Sequence, residues 1–196
     1  MSAPARLVVL ISGSGTNLQA ILDACKEGSL HAGVAAVISN RREAYGLERA
    51  RQAGVPALAV PKRKEVDRRD YDRALADQVA EFEPDWIVLA GWLRLLSMEF
   101  LGRFPGRVVN IHPALPGTFP GLDAIERAYA AWQRGEIDHS GVMVHLVPDE
   151  GVDAGPVLGQ ERIDFQPGEP LESFEARVHE LEHRLYVDTL RRLVTG

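Results

Sequence analysis

The chain has 196 residues, of which 45% are hydrophobic and 26% are charged, as is ordinary for a soluble globular protein. This length suits one domain, residues 1–196, with a well-buried core. The net charge of −6 argues against a general nucleic-acid binder or a protein of anionic membrane surfaces. The single cysteine, Cys25, excludes an internal disulfide and offers no zinc spacing.

The N-terminal stretch shows no targeting pattern. Met1 to Ala5 lack a charged region followed by a cleavable apolar segment, and no run approaches the ~18 apolar residues that span a bilayer. We therefore expect a cytoplasmic protein that has small-molecule substrates and neither a membrane nor a nucleic acid as a partner. A monomer and a homodimer are both compatible with the sequence.

The first elements are a buried strand, a glycine-rich loop and a helix. Arg6 to Ser12 is a continuous apolar run, typical of a strand buried on both faces of a parallel sheet. Gly13 to Asn17 (GSGTN) follows, and apolar residues then recur at helical spacing until Gly28. Such a loop lets backbone N–H groups bind an anion at the helix start. It matches neither the GxGxxG fingerprint nor a Walker loop, so a plain turn capped by Ser or Thr is the alternative.

Strands and helices then alternate. The patterns predict strands at 34–39, 56–60, 86–90 and 108–112, with helices at 46–53 and 68–82. This alternation indicates an α/β fold with a doubly wound, mostly parallel sheet, helices on both faces and ligands at the carboxyl ends of the strands. After residue 121 we predict a helix at 124–134, antiparallel strands at 141–147 and 157–165, and a long helix at 171–194. The expected fold is a Rossmann-type N-terminal half with an antiparallel C-terminal extension of the sheet.

The predicted strand at 108–112 ends in two polar side chains. Asn110 and His112 are two residues apart and should share a face of the strand, which Pro113 ends. An amide and an imidazole supply hydrogen-bond donors and a group that titrates near neutrality, a combination that suits carbonyl chemistry. Polar residues at a strand end are also often merely hydrogen-bonded parts of the core, and that alternative stays open.

A loop at 148–156 contains three carboxylates among glycines and prolines. This composition is typical of a surface turn, and the EF-hand calcium pattern is not met. A carboxylate that folds back toward His112 would fix its tautomer and favour the imidazolium. The basic cluster at 62–64 and 68–69 is either a solvated face or a contact for an anionic substrate.

Five stretches together resemble the phosphoribosylglycinamide formyltransferases, the folate-dependent formyltransferase family of purine biosynthesis. They are LISGSGTNLQAIL, SNRREAYGLERARQAGVP, AGWLRLLS, NIHPALPG and DEGVDAGPV, in family order over almost the whole chain. The resemblance implies formyl transfer from 10-formyltetrahydrofolate, a co-substrate, to the amine of glycinamide ribonucleotide, without a metal. Two relatives are alternatives: formyltetrahydrofolate deformylase and methionyl-tRNA formyltransferase normally carry an additional N-terminal or C-terminal domain, which we do not expect in this chain.

The resemblance also implies the site residues. The family's catalytic residues fall on Asn110, His112 and Asp153. Those for the ribonucleotide phosphate and ribose fall on Gly13, Ser14, Gly15, Thr16, Asn17 and Glu182. The folate pocket falls on Arg68, Trp92, Leu93, Arg94, Leu95, Leu96, Asn110, Asp149, Glu150, Gly151, Val152, Asp153 and Ala154. We thus expect a phosphate- and nucleotide-binding half up to about residue 100 and a folate-binding, catalytic half after it.

The chain departs from the family pattern in two places. Family members usually read NIHPSLLP, whereas this chain has NIHPALPG, with Ala114 in place of the serine. Bacterial relatives often carry a histidine where this chain has Asp123. A non-catalytic nucleotide- or folate-binding module on the same fold is the alternative from another functional class, because a fold alone does not prove activity.

Overall fold

A computed structural model describes residues 3–195, so the part of the N-terminal prediction that concerns Met1 and Ser2 lies outside the described residues. Strands and helices alternate along the chain, as predicted. In chain order they are β1 (Ala5–Ile11), α1 (Thr16–Lys26), β2 (Ala32–Ser39), α2 (Tyr45–Gln52), β3 (Ala57–Ala59), α3 (Arg68–Ala80), β4 (Trp86–Leu89), α4 (Met98–Leu101), β5 (Val108–His112), α5 (Ala124–Gln133), β6 (His139–Leu146), β7 (Val157–Asp164) and α6 (Leu171–Thr195).

The strands form one seven-stranded sheet in the order β3-β2-β1-β4-β5-β6-β7. The neighbours from β3 to β5 pair in parallel, whereas β5 with β6 and β6 with β7 pair antiparallel. The chain winds outward from β1 to β3 and then returns to β4 on the other side of β1. A reversal of this kind leaves a crevice at the carboxyl ends of the strands. The predicted doubly wound sheet with an antiparallel C-terminal extension is confirmed.

Helices cover both faces of the sheet because its central strands are apolar on both sides. Along β1, Leu7, Val9 and Ile11 belong to one hydrophobic cluster, whereas Val8 and Leu10 belong to another, as the two-residue strand period requires. The first cluster takes in buried side chains of α1, α2, α5 and α6, and the second those of α3 and α4. The sheet is therefore buried between two layers of helices, and this packed core supports the loops at the carboxyl ends of the strands.

One buried phenol ties the C-terminal helix to the centre of the sheet. Tyr186 on α6 is fully buried, and its hydroxyl lies 3.0 Å from the carbonyl oxygen of Leu89 and 3.1 Å from that of Val109. A buried hydroxyl needs such a partner, because it has lost its hydrogen bonds to water. This contact holds α6 beside the ends of β4 and β5 and sets the position of Glu182, about one turn earlier.

Some boundaries and one short helix differ from the predictions. β2 begins at Ala32 and β6 at His139, each two residues earlier than predicted. The helix α4 was not predicted, because four residues are too few to show an apolar period. Within residues 3–195, no helix combines the length and apolar character needed to cross a membrane.

Candidate active site

A cleft of about 750 Å³ opens at the carboxyl ends of the parallel strands. It is bounded by the loop after β1, the segments after β4 and β5, the loop between β6 and β7, and one side of α6. Its volume lies in the range of about 300–1,000 Å³ that is usual for small-molecule sites. The predicted site residues line this cleft, with the exception of Arg68 and Ala154.

The glycine loop after β1 packs closely against the start of α2. Gly15 has a φ of 72°, and a Cβ atom there would lie 2.7 Å from Cα of Gly46. The Gly46 N–H donates to the carbonyl oxygen of Gly13 at 3.1 Å, and Nε of Arg49 donates to that of Ser14 at 2.8 Å. Glycine is required at position 15 because any side chain would be strained there and would collide with α2. Arg49 is not predicted from the sequence as a site residue, because no local pattern links it to this loop.

The start of α1 is open to the cleft. Its N-cap residue is Gly15, so the alternative of a turn capped by a Ser or Thr side chain is wrong. Oδ1 of Asn17 is buried and has no hydrogen-bond partner among residues 3–195. An uncapped helix start presents free N–H groups and the positive end of the helix dipole. The arrangement suits an anion such as a phosphate group.

A histidine–carboxylate pair on α6 lies in the same cleft as the glycine loop. Nδ1 of His179 lies 2.6 Å from Oε2 of Glu182, and Glu182 is only 5% exposed. The hydrogen bond to Glu182 raises the pKa of the partly exposed His179 above its ordinary value, and outweighs the opposing effect of burial. His179 therefore keeps a positive charge to higher pH. It was missed from sequence, where the spacing of three residues to Glu182 was its only signal.

Asn110, His112 and Asp153 meet at the end of β5. Nδ1 of His112 lies 3.3 Å from Oδ2 of Asp153, and Nδ2 of Asn110 donates to Oδ1 of Asp153 at 3.3 Å. The N–H of Gly121 donates to Oδ2 at 2.8 Å, and Asp153 has a φ of 50°. A non-glycine residue takes this left-handed conformation only where its surroundings hold it. Of the three carboxylates in the 148–156 loop, Asp153 is the one that reaches His112.

Both ring nitrogens of His112 face oxygen acceptors. Nε2 lies 3.0 Å from the carbonyl oxygen of Phe119, and Nδ1 faces Asp153. A neutral imidazole donates through only one nitrogen, so both contacts together favour the cation. Burial opposes this and lowers the pKa of His112 below its ordinary value, although the charge of Asp153 acts to raise it. Asp153 thus acts in the direction expected of a carboxylate beside His112, and burial acts against it.

The Asp153 carboxylate stays ionised. Partial burial acts to raise its pKa, but the contact with His145, the hydrogen bond from the Gly121 N–H and the charge of His112 hold the pKa below its ordinary value. An ionised carboxylate next to a partly desolvated imidazole can accept and return a proton. This is the arrangement that general acid–base chemistry needs.

A second buried histidine completes this cluster. His145 on β6 is 2% exposed, and its Nε2 lies 3.2 Å from Nδ2 of Asn110 and 3.5 Å from Oδ1 of Asp153. Its Nδ1 lies 2.8 Å from the carbonyl oxygen of Leu146. No local sequence pattern predicts His145 as a site residue, because its position depends on the antiparallel register that places it opposite Asn110.

Exposed apolar side chains surround the mouth of the cleft. Leu93 and Leu95 are each 50% exposed, Leu122 is 63% exposed and Val152 is 41% exposed. The Leu93 N–H donates to Oγ of the buried Ser12 at 2.9 Å, which joins this segment to the end of β1. Clustered exposed apolar side chains typically mark a binding groove. The cleft can thus bury a flat apolar group next to its polar cluster.

Arg68 lies outside the cleft lining and is paired. Its Nη2 lies 2.9 Å from Oε2 of Glu150, which does line the cleft. Glu150 also accepts a hydrogen bond from the Met98 N–H at 3.1 Å. The basic cluster of the sequence therefore contributes at least one cation to the rim of the cleft.

The loop after β5 is ordered by its own contacts, despite its departures from the family pattern. Ala114 is completely buried. Nη2 of Arg127 donates to the carbonyl oxygens of Phe119 and Pro120, at 2.8 and 2.6 Å. Asp123 has a φ of 55° and is the N-cap residue of α5. The loop thus brings Phe119 to His112 without a hydroxyl at position 114.

Cys25 lies on α1, away from the cleft lining. Burial raises the pKa of its thiol to about 11, so that it stays protonated at neutral pH. In the described part of the chain, no group of three or more His, Cys, Asp or Glu residues is placed to hold a metal ion.

Comparison with known proteins gives consistent matches. The chain matches the formyl transferase family over residues 5–190. It is 42% identical to phosphoribosylglycinamide formyltransferase from Schizosaccharomyces pombe, over 97% of this chain and 98% of that protein. It is 43% identical to the enzyme of the same name from Escherichia coli, over 92% of this chain and 82% of that protein.

Solved structures agree. Glycinamide ribonucleotide transformylase 1 from Symbiobacterium toebii superposes with a TM-score of 0.93 at 43% identity, over 100% of this chain and 90% of that one. Phosphoribosylglycinamide formyltransferase from Coxiella burnetii, solved in complex with CHES, gives a TM-score of 0.90 at 44% identity, over 98% of this chain and 88% of that one.

Proposed function

The chain belongs to the phosphoribosylglycinamide formyltransferases, transferases of purine biosynthesis within the formyl transferase family, and we propose that it moves the formyl group of 10-formyltetrahydrofolate to the amine of glycinamide ribonucleotide. One observation carries this proposal. A single cleft joins an uncapped helix start, an amide–imidazole–carboxylate cluster and an apolar rim. These suit, in turn, a phosphate, a reacting carbonyl and a flat aromatic donor.

The ribonucleotide would lie along the glycine loop and α6. Its phosphate would accept hydrogen bonds from the N–H groups at the start of α1, with residues Gly13 to Asn17 around it. Glu182, buried and already paired with His179, would accept hydrogen bonds from the ribose hydroxyls. The phosphate end is thereby fixed at a distance from the polar cluster at Asn110, and the amine can approach that cluster.

The folate donor would occupy the apolar side of the cleft. Trp92 to Leu96 and the loop from Asp149 to Ala154 bound this side, and the exposed side chains of Leu93 and Val152 offer it an apolar surface. Arg68 supplies a cation at the rim for the carboxylates of the donor's glutamate tail. Exposed apolar side chains at the rim, with a positive charge beyond them, support this placement of the donor. The donor supplies the formyl group; the chain binds and orients it.

The chemistry begins when the amine attacks the formyl carbon and negative charge develops on the formyl oxygen. Asn110 and His112 would donate hydrogen bonds to that oxygen, as an oxyanion hole does. His112 must then exchange its contact with the Phe119 carbonyl oxygen for the substrate oxygen, and Asn110 must likewise exchange one of its two N–H contacts, to Asp153 or His145. Because a developing negative charge favours a cation beside it, the protonated form of His112 gains stability at this step.

Proton transfer completes the reaction. The new C–N bond leaves the former amine with an excess proton, and the departing folate nitrogen needs one when its C–N bond breaks. Asp153, ionised and in contact with His112, would pass this proton through water between the two nitrogens. Holding both substrates in one cleft further lowers the barrier, since the reaction becomes effectively unimolecular.

We also propose that residues 1–196 work as one domain. The half up to about residue 100 contributes the phosphate loop, and the half after it contributes Asn110, His112 and Asp153. The division is not strict in the cleft, because the ribose-binding Glu182 belongs to the second half, whereas Trp92 to Leu96 belong to the first.

A donor assay with and without glycinamide ribonucleotide tests the proposed function. Loss of the formyl group from 10-formyl-5,8-dideazafolate only when the ribonucleotide is present supports the transferase. Equal loss without it would instead indicate a deformylase. Binding of both ligands without any turnover would indicate the non-catalytic module.

A further inference from the structure

We propose that Glu150 competes with the anionic tail of the folate donor for the guanidinium of Arg68. Glu150 thereby determines how strongly that tail contributes to binding. The inference rests on the proposed function, because it takes the donor to be a folate. Glu150 holds the guanidinium of Arg68 through an ion pair. A tail carboxylate must displace it to reach the same cation.

The contacts of Arg68 support an exchangeable pair. Glu150 uses one oxygen on Nη2 at 2.9 Å, and both side chains are 38% exposed. Nε, on the same edge of the guanidinium, is buried without a hydrogen-bond partner among residues 3–195, although Oδ2 of Asp72 lies 3.8 Å away. A one-point contact between exposed groups is weak. A carboxylate that engages Nε and Nη2 together makes the stronger, two-point contact.

Glu150 also anchors the loop at 148–156, so its displacement would affect that loop. Its other oxygen accepts the Met98 N–H at 3.1 Å, so the side chain joins the 148–156 loop to both α3 and the start of α4. The same loop carries Asp153, three residues later, in contact with His112. Displacing Glu150 therefore releases one of the attachments of the loop that supplies the catalytic carboxylate. Tail recognition at the rim is thereby linked to the reacting centre.

A second α3–α4 ion pair provides a matched control. Nη2 of Arg73 lies 3.1 Å from Oε2 of Glu99, and both side chains are comparably exposed. This pair also joins α3 to α4, but neither residue lines the cleft. Replacing Glu99 removes an ion pair of the same kind without freeing a cation at the donor site.

The test measures the affinity of two inhibitors for the full-length chain by isothermal titration calorimetry. One is 5,8-dideazafolate with its glutamate tail, and the other is the same quinazoline ending in a neutral benzamide. We expect Glu150→Gln to tighten binding of the tail-bearing compound by about two- to fivefold, the range expected for an exposed ion pair. Binding of the benzamide should not change, and Glu99→Gln should alter neither. Glu150→Asp, whose carboxylate is one methylene shorter, should act in the same direction.

The outcomes are separable. If binding of the tail-bearing compound is weaker or unchanged in Glu150→Gln, the competition is refuted. The proposed function is not affected by that result, provided that the wild-type chain binds both compounds. Equal weakening of both compounds would mean that Glu150 only shapes the loop, and this too refutes the inference. If neither compound binds the wild-type chain, the proposed function fails and the inference fails with it. Adding Arg68→Gln should abolish the effect of Glu150→Gln, and persistence of the effect would refute the competition.

Discussion

Nδ2 of Asn110 lies 3.2 Å from Nε2 of His145, a residue 35 positions later that reaches the site on the neighbouring antiparallel strand. Nδ1 of His145 faces the carbonyl oxygen of Leu146 and serves as the donor there. In the neutral ring, Nε2 is then the acceptor and can take an N–H of the Asn110 amide. His145 thereby fixes which end of that amide is nitrogen, and hence where its N–H groups point.

His145→Ala should lower kcat by about 10- to 100-fold with a small change in KM, because a misplaced catalytic donor costs rate more than substrate binding. His145→Gln should recover part of the rate, since its carbonyl oxygen can accept the same N–H. Steady-state kinetics on both variants measure this. Equal losses in the two variants would indicate a packing role instead.

His112→Ala should reduce kcat by about 100- to 1,000-fold, the usual cost of removing one oxyanion donor. The midpoint of thermal unfolding and the far-UV circular dichroism spectrum should show a folded protein. His139→Ala is the control, because His139 contacts Asp138 at the start of β6 and does not line the cleft. Wild-type turnover by His112→Ala would refute the assigned role.

Gly15→Ala should raise KM for the ribonucleotide far more than KM for the folate donor. Its Cβ would meet Gly46 at 2.7 Å and displace the glycine loop. Gly28→Ala is a matched control, because Gly28 has a φ of 76° and nothing lies within 4 Å of an added Cβ. Both variants should lose about 1 kcal/mol of stability from backbone strain, and Gly15→Ala should lose more because its Cβ collides with Gly46. Only Gly15→Ala should alter ribonucleotide binding, and equal effects on both substrates would mean that the phosphate binds elsewhere.

Arg49→Met should weaken ribonucleotide binding by loosening the same loop. Its guanidinium Nε donates to the Ser14 carbonyl oxygen at 2.8 Å, and methionine keeps the aliphatic length without the donor. A severalfold increase in KM for the ribonucleotide is expected, with kcat nearly unchanged. Arg51→Met on the same helix provides the comparison, since within residues 3–195 Arg51 is paired only with Glu48, at the surface. The two variants should differ, and matching KM values would contradict the prediction.

The KM for the ribonucleotide should depend on pH through His179. Because the pKa of His179 is raised by Glu182, its positive charge is complete at low pH and is lost as the pH rises through that raised value. Anion binding should therefore weaken over the same interval. The pH profile of His179→Gln separates this effect from titration of the phosphate itself, because the phosphate titration remains in the variant. Identical profiles for the two proteins would exclude a contribution of His179.

The sequence by itself determined the local features. Apolar runs and two-residue periods predicted the strands, because a strand buried on both faces must be apolar throughout, as β1 is. The alternation of strands and helices predicted the doubly wound sheet. The spacing of Asn110 and His112 identified a polar pair at a strand end. The resemblance to a family then assigned roles to the remaining positions, including Asp153.

Only the tertiary structure decided which distant residues meet. The antiparallel register of β5 and β6 brings His145 to Asn110, and the left-handed backbone at Asp153 turns its carboxylate to both Asn110 and His112. The ion pair of Arg68 with Glu150 likewise joins residues 82 positions apart. Such contacts depend on strand order and loop closure rather than on local propensity, so no short-range pattern could predict them. Burial, which sets the pKa of His112, is also a property of the assembled fold.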